Sequence, residues 1–417
     1  MDISKDIFRA YDIRGRYPEE INEELYVLLG KALGTKILLN SKDKKVSVCM
    51  DGRTSGQSLK TSLIEGILAT GVDVIDIGML PTPILNFSLY SLGINNGLMI
   101  TGSHNPKDYN GIKMIINGVT LFDEYILELY ELIISKDFKY AGKHGNIIIN
   151  DNILDSYIDK ITRSVNVNFK DVVSIDCGNG VTGAVVKKIF STLKVNTRII
   201  NEDVDGNFPN HPPDTSNEEN LLQLKNEIKK NRSRIGFAYD GDGDRIVVLK
   251  NNGDVIWPDQ LMILFSRNIL RDNKNAKIVY DIKCTKYLEE EILKNDGIPV
   301  LSRTGHSFIK KAMINQKALL GGEMSGHIFF ADKWDGFDDG IYASIRLLEM
   351  LSDHETYEEI LNDLPISVTT PEINIPFSGN NHFTFMKLFA KLTKFDNASI
   401  IDIDGLKIIY PDGWALI

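Results

Sequence analysis

The chain has 417 residues, of which 43% are hydrophobic and 25% charged, and it carries a formal net charge of −10. That is the composition of a globular chain too long for one ordinary core, with roughly three domains expected at about 150 residues each. The acidic balance argues against nucleic acid or an anionic membrane as the main partner, and Cys49, Cys177 and Cys284 have no CxxC spacing that would suggest a disulfide framework or a zinc site.

The first residues, Met1 to Asp6, lack a signal peptide's basic and apolar regions, and no apolar run reaches the length of a membrane span. A cytoplasmic protein is expected. The Arg-rich segment from Phe8 to Gly15 contains Tyr11 and Arg14, both suited to a phosphate. Ile21, Leu25, Leu28, Leu29, Ala32 and Leu33 then form one apolar stripe and predict a buried helix. Val46 to Met50 reads as a buried strand ending at Asp51-Gly52-Arg53, followed by a helix through Leu59, Leu63, Ile64, Ile67 and Leu68 and a strand over 72–77. This alternation predicts mixed, mostly parallel sheets.

Gly97-Leu98-Met99-Ile100 breaks into Thr101-Gly102-Ser103-His104-Asn105-Pro106. Such a loop is most often a turn with a capping Ser or Asn. It also sets Ser103 at a strand's carboxyl end, where open α/β sheets place their ligands. Lys113 follows on the next predicted strand. It is either solvated or, beside a phosphoserine, able to stabilise charge or move a proton.

The phrase of an apolar strand ending in Asp recurs at Val172 to Asp176 and at Lys277 to Asp281, which suggests three related α/β units. Seams are expected near 147–152, at the hairpin turn Asn252-Gly253 and around Asp363-Leu364-Pro365, dividing the chain into 1–148, 149–253, 254–364 and 365–417. The last part predicts a helix around Phe385, Met386, Phe389 and Leu392, a hairpin through Asp404-Gly405, and the start of another strand at Trp414. A strand that stops there would leave unpaired backbone, so the sequence reads as incomplete.

Asp240-Gly241-Asp242-Gly243-Asp244-Arg245 follows the apolar strand 235–239. A glycine-opened loop lets all three carboxylates curl round one hard cation, and unpaired they would repel strongly. An EF-hand is excluded because Arg245 stands where that loop needs Gly and Asn251 where it needs Glu. A simple surface turn needs one Asp-Gly, not three acids and an Arg. Mg²⁺ keeps positions for a phosphate oxygen, which a phosphorylated Ser103 would supply, while Arg245 would offset charge during transfer. Thr304-Gly305-His306 and Gly322-Glu323-Met324-Ser325-Gly326-His327 add short polar groups suited to a polyhydroxylated ligand.

Together these stretches, in this order, resemble the α-D-phosphohexomutases, specifically the phosphomannomutase/phosphoglucomutase group. Phe8 to Gly15, Tyr109 to Lys113 and Asn207-Phe208-Pro209-Asn210-His211 add to the likeness, and Met324 favours the glucose/mannose group, since phosphoglucosamine mutases generally have Gln there. The resemblance implies three related α/β domains and a smaller C-terminal α+β domain round a central cleft. In chain order these carry the phosphoserine, the metal, the sugar-recognition loop and part of a phosphate-binding region.

It also implies reversible transfer of a phosphoryl group between the 1- and 6-positions of mannose or glucose phosphate, through phospho-Ser103 and a bisphosphosugar. Ser103, Asp240, Asp242 and Asp244 would hold Mg²⁺, and glucose 1,6-bisphosphate would be an activator. Arg245 and His104 would assist transfer and Lys113 would be an acid/base candidate. Glu323 and Ser325 would bind sugar hydroxyls, while Tyr11, Arg14, Lys283, His306 and His327 would line the cleft. A monomer or dimer is expected.

One departure stands out: the family's fourth domain normally continues past a Gly-Trp segment such as Gly413-Trp414 into a loop that grips the distal phosphate. Without that loop, impaired mutase turnover is expected. The competing readings are a phosphoglucosamine mutase, a Mg²⁺-dependent phosphatase and a non-catalytic sugar-phosphate-binding protein.

Overall fold

The apolar runs that end in aspartate become the central strands of three sheets. The computed structural model describes residues 3–352, 357–366, 370, 373, 375–378 and 381–417. The first sheet contains β1 (Ile13–Arg16), β2 (Lys45–Met50), β3 (Asp73–Met79), β4 (Gly97–Ile100), β5 (Tyr109–Ile116), β6 (Val119–Thr120) and β7 (Ile147–Ile149), in the order β1-β5-β4-β2-β3-β7 with β6 paired to β5. The second contains β8 (Val173–Asp176), β9 (Thr197–Ile200), β10 (Ile235–Tyr239), β11 (Ile246–Lys250) and β12 (Val255–Ile256). The third contains β13 (Lys277–Asp281), β14 (Ile298–Ser302), β15 (Leu320–Gly322) and β16 (Ile328–Phe330).

All three sheets share one four-strand plan. A central strand (β2, β8 or β13) has a parallel neighbour on each side, and an antiparallel strand (β5, β11 or β16) lies beyond one of them. Helices cover the sheets, so β2, β8 and β10 are buried on both faces, and Ser47, Ser174 and Asp176 are enclosed along with their apolar neighbours. The plan puts 101–108, 240–245 and 323–327 at one equivalent place, the connection from the outer parallel strand to the antiparallel one.

The first helix begins later than its apolar stripe suggests. Asn22 caps Glu23–Asn40 by accepting from the Leu25 amide at 3.0 Å, so Ile21 is buried just ahead of the helix. At the other end of the chain, β17 (Ser399–Ile401), β18 (Lys407–Tyr410) and β19 (Gly413–Leu416) form an antiparallel sheet beside the helix His382–Leu392. The final stretch is therefore paired, contrary to the expectation of open backbone there. Ile417 and Leu406 exchange both backbone hydrogen bonds, at 2.8 and 3.1 Å. Lys407 is buried against the third unit, donating to the Ile282 and Cys284 carbonyls at 2.7 and 3.1 Å.

An aromatic seam joins the first three units. Phe87 of the helix Thr82–Leu92 stacks on Trp334, Tyr157 of the helix Ile153–Ser164 meets both edge-on, and Tyr342 stacks on Trp334 at 4.3 Å. Buried beside it, Asp339 accepts from the Tyr157 hydroxyl and the Tyr342 amide, both at 2.8 Å. Burial pushes the Asp339 carboxyl up to about 7 against these two donors. The folded state therefore favours protonated Asp339, a contribution present below the unfolded pKa near 4 and lost as pH rises through about 7. Asp339→Asn should lack this dependence, so its melting temperature should gain on the wild type between pH 4 and 7, by the equivalent of up to roughly 4 kcal/mol. Parallel melting curves across that range would overturn the assignment.

Among the described residues no helix is long and apolar enough to cross a membrane.

Candidate active site

Ser103 sits just past β4 with φ at +50°, a left-handed conformation uncommon for a residue with a side chain. Its surroundings hold it there. The Ser103 amide donates to Thr101 Oγ1 at 2.7 Å, and Thr101 Oγ1 and the Gly102 amide donate to Asp51 Oδ2 at 2.7 and 3.2 Å. Arg53, which is buried, donates to the carbonyls of Ser103, Asn105, Pro106 and Tyr109 at 2.5–2.9 Å. Arg14 Nη1 reaches Asn105 Oδ1 at 2.6 Å, which fixes the outer side of the same loop.

The second unit brings the acid loop directly onto this serine. Ser103 Oγ lies 3.0 Å from Asp240 Oδ2 and 3.3 Å from His104 Nδ1. Gly241 makes the approach possible, since a Cβ there would lie 2.7 Å from the Ser103 carbonyl oxygen. Burial, Arg245 and Arg14 hold the His104 imidazole down to about 2, so it is neutral.

Asp240, Asp242 and Asp244 are all buried, each with a carboxylate oxygen within 4.8 Å of the others. Burial and the two neighbouring carboxylates push Asp240 well above the ordinary carboxylate range. Asp242 lies below it because Lys113 and Thr82 outweigh the cost of burial. Lys113 Nζ reaches Asp242 Oδ2 at 2.7 Å and also bonds Asp244, while Thr82 Oγ1 donates to Asp242 at 2.6 Å. Asp242 Oδ1 and Asp244 Oδ1 remain buried without a hydrogen-bond partner. Three buried acids with orphaned oxygens suit a hard divalent cation, so the donor set fits Mg²⁺.

The third unit closes the other side. Glu323 is buried, accepting from the Gly305 amide and, at 3.1 Å, from Ser325 Oγ; burial raises its carboxyl to about 7 although His327 opposes this. His327 Nε2 accepts from Arg245 Nε at 3.0 Å, and because Arg245 can only donate, the neutral ring carries its proton on Nδ1. That nitrogen faces Asp338 Oδ2 at 3.0 Å. His306 stacks on His327 with centroids 5.3 Å apart, its Nδ1 3.5 Å from the same carboxylate. Tyr11 meets His306 and Phe308 edge-on, which ties the first unit to this loop. Lys283 is exposed on the turn after β13.

Three family models match the chain in order: the phosphoglucomutase/phosphomannomutase alpha/beta/alpha domains I, II and III, over residues 5–140, 155–253 and 257–367. The chain belongs to this family. It is 42% identical to a phosphomannomutase/phosphoglucomutase of Pseudomonas syringae pv. tomato, over 99% of this chain and 88% of that protein. It is 41% identical to a phosphoglucomutase of Neisseria meningitidis, over 100% and 90%. A crystal structure of a phosphoglucomutase/phosphomannomutase family protein from Burkholderia thailandensis superposes with a TM-score of 0.93 at 37% identity, covering all of this chain and 90% of that one.

Within this phosphoglucomutase/phosphomannomutase fold, Ser103, His104, Lys113, Arg245 and the three aspartates form one connected cluster. Glu323, Ser325, His306, His327 and Tyr11 form a second, joined to the first through the Arg245–His327 bond. Arg14 reaches the first cluster through Asn105. Sequence reasoning missed Arg53, Thr82 and Asp338. Arg53 stood in plain view two residues after a strand-ending Asp. Neither Asp338 nor Thr82 carries a local signal: the fold of the third unit brings Asp338 to its two histidines, and the packing of separate units brings Thr82 to Asp242.

Proposed function

We infer that this protein is a hexose-phosphate mutase, an isomerase moving a phosphoryl group between the 1- and 6-positions of mannose or glucose phosphate. The observation that carries the reading is Ser103 Oγ held 3.0 Å from Asp240 in a buried three-acid loop. Phospho-Ser103 gives its phosphoryl group to a sugar hydroxyl: the Oγ–P bond breaks, the new O–P bond forms, and the hydroxyl proton passes to a nearby base. The bisphosphosugar turns over in the cleft, and its other phosphoryl group returns to Ser103. Bound Mg²⁺, held by the three aspartates and an oxygen of phospho-Ser103, would neutralise charge on the transferring group.

The chain's own groups take the remaining tasks. Arg245 offsets phosphoryl charge, and neutral His104 assists transfer. Lys113, whose neighbouring carboxylates keep it charged despite burial, suits charge stabilisation beside the acid loop better than proton donation. Glu323 and Ser325 bind sugar hydroxyls, and Tyr11, Arg14, Lys283, His306 and His327 line the cleft. In this reading 1–148 supplies the serine, 149–253 the metal loop, 254–364 the sugar loop and 365–417 part of the phosphate-binding region. The names and identities of the relatives favour mannose and glucose phosphates over glucosamine phosphate.

The test is the intact mass and peptide map of the protein before and after exposure to glucose 1,6-bisphosphate, the proposed activator, together with turnover of mannose, glucose and glucosamine phosphates. A phosphoryl group on Ser103 and isomerised mannose or glucose phosphate are expected. A folded protein whose Ser103 stays bare would refute the reading.

A further inference from the structure

We propose that Arg53 is a positioning residue for phosphoryl transfer, a clamp that holds the Ser103 loop in its reactive conformation. The proposal rests on the reading of Ser103 as the phosphoryl carrier. A guanidinium has five N–H donors in a rigid fork. Here all five are engaged: one with Asp51, at 3.2 Å, and four with backbone carbonyls running from Ser103 to Tyr109. Thus a single side chain satisfies successive acceptors of the loop that begins at the serine and ends on β5. Because that serine is left-handed, the loop must be fixed by its surroundings to keep this shape.

The packing round Arg53 is shaped to it. A Cβ at Gly102 would lie 2.4 Å from Arg53 Nε, so the residue before the serine must be glycine for the guanidinium to lie beneath it. From the second unit, Phe208 covers the guanidinium at 5.1 Å, and a Cβ on Gly206 would lie 2.6 Å from the Gly52 carbonyl oxygen. The unit that bears the acid loop therefore also presses on the clamp. The internal repeat gives the position a second meaning. Counted two residues past the strand-ending aspartate, Arg53 corresponds to Gly178 and Lys283 in the other units. Lys283 is exposed while Arg53 is buried, so the same repeat position faces outward in the third unit and supports a loop in the first.

Lysine keeps a cation beside Asp51 but cannot bond four carbonyls. The rate constant for phosphorylation of Ser103 by glucose 1,6-bisphosphate, followed by rapid-quench intact mass, does not depend on the active fraction and so separates misplacement from loss of folded protein. For Arg53→Lys that constant should fall about 100-fold, as expected for a reacting group displaced by about 1 Å. The half-saturating bisphosphate concentration should change less than about threefold, because binding groups are untouched. Near-UV circular dichroism should stay native. If Arg53→Lys does not fold, Phe208→Leu decides: it uncovers the guanidinium, lets water compete for its bonds to the loop carbonyls, and should slow phosphorylation roughly 3- to 10-fold. A folded Arg53→Lys within threefold of wild type, or an unaltered rate in Phe208→Leu when it is the deciding variant, overturns the proposal. A wild type that never takes a phosphoryl group at Ser103 refutes the mutase reading itself.

Discussion

Ser103→Ala should lower mutase turnover by roughly 10⁴-fold or more, the scale seen when a covalent nucleophile is removed. Alanine offers no oxygen to carry the phosphoryl group, and among the described residues no other hydroxyl bonds Asp240. The fold should survive. The change deletes the contacts to Asp240 and His104 and leaves the Arg53 and Asp51 bonds to the loop in place, costing about 1–2 kcal/mol. Calorimetric binding of glucose 6-phosphate should persist, because the groups of the third unit are unchanged. Activity within tenfold of the wild type would mean that transfer does not pass through this serine, and would move a direct sugar-to-sugar route ahead of it.

The second large effect is expected at the acid loop. Asp240→Asn keeps an oxygen for the Gly243 and Arg245 amides, at 3.0 and 3.1 Å, so the loop retains its shape. It removes a carboxyl whose ionisation is opposed by burial and by two neighbouring carboxylates. The variant without added metal should therefore melt no lower than the wild type, while turnover drops about 10³-fold as the phosphoryl charge loses its partner. The discriminating readout is thermal: Mg²⁺ should raise the melting temperature of the wild type, by linkage, and leave the variant unmoved. An equal Mg²⁺ response in both would remove Asp240 from the metal set.

Much of this was legible in the sequence for a simple reason. Buried parallel strands need largely apolar runs, and a loop that gathers charge needs glycine, so Val46–Met50, Ile235–Tyr239 and the Asp-Gly alternation stand out without any structure. The serine loop gained meaning only beside the acid loop, 137 residues away. What stayed hidden depends on the assembly of units. Asp338 orients two histidines because the third unit folds back on itself, and Thr82 reaches Asp242 because one unit's helix end abuts another unit's loop. Arg53 drew attention only as part of a strand ending, because the carbonyls it satisfies lie some fifty residues further along the chain. The pairing of Trp414 with Ile409 was likewise unreadable, since strand registry at an edge leaves no mark in a stretch of four residues.

Because the serine, acid and sugar loops occupy the same connection in three copies of one unit, the protein resembles a tool with three identical sockets and three different bits. Where each loop points is set by the shared sheet, and what it does is set by a handful of residues outside that sheet. The tips still touch: the Arg245–His327 bond couples 240–245 to 323–327, so a change in either loop has to preserve the partner it presents to the other.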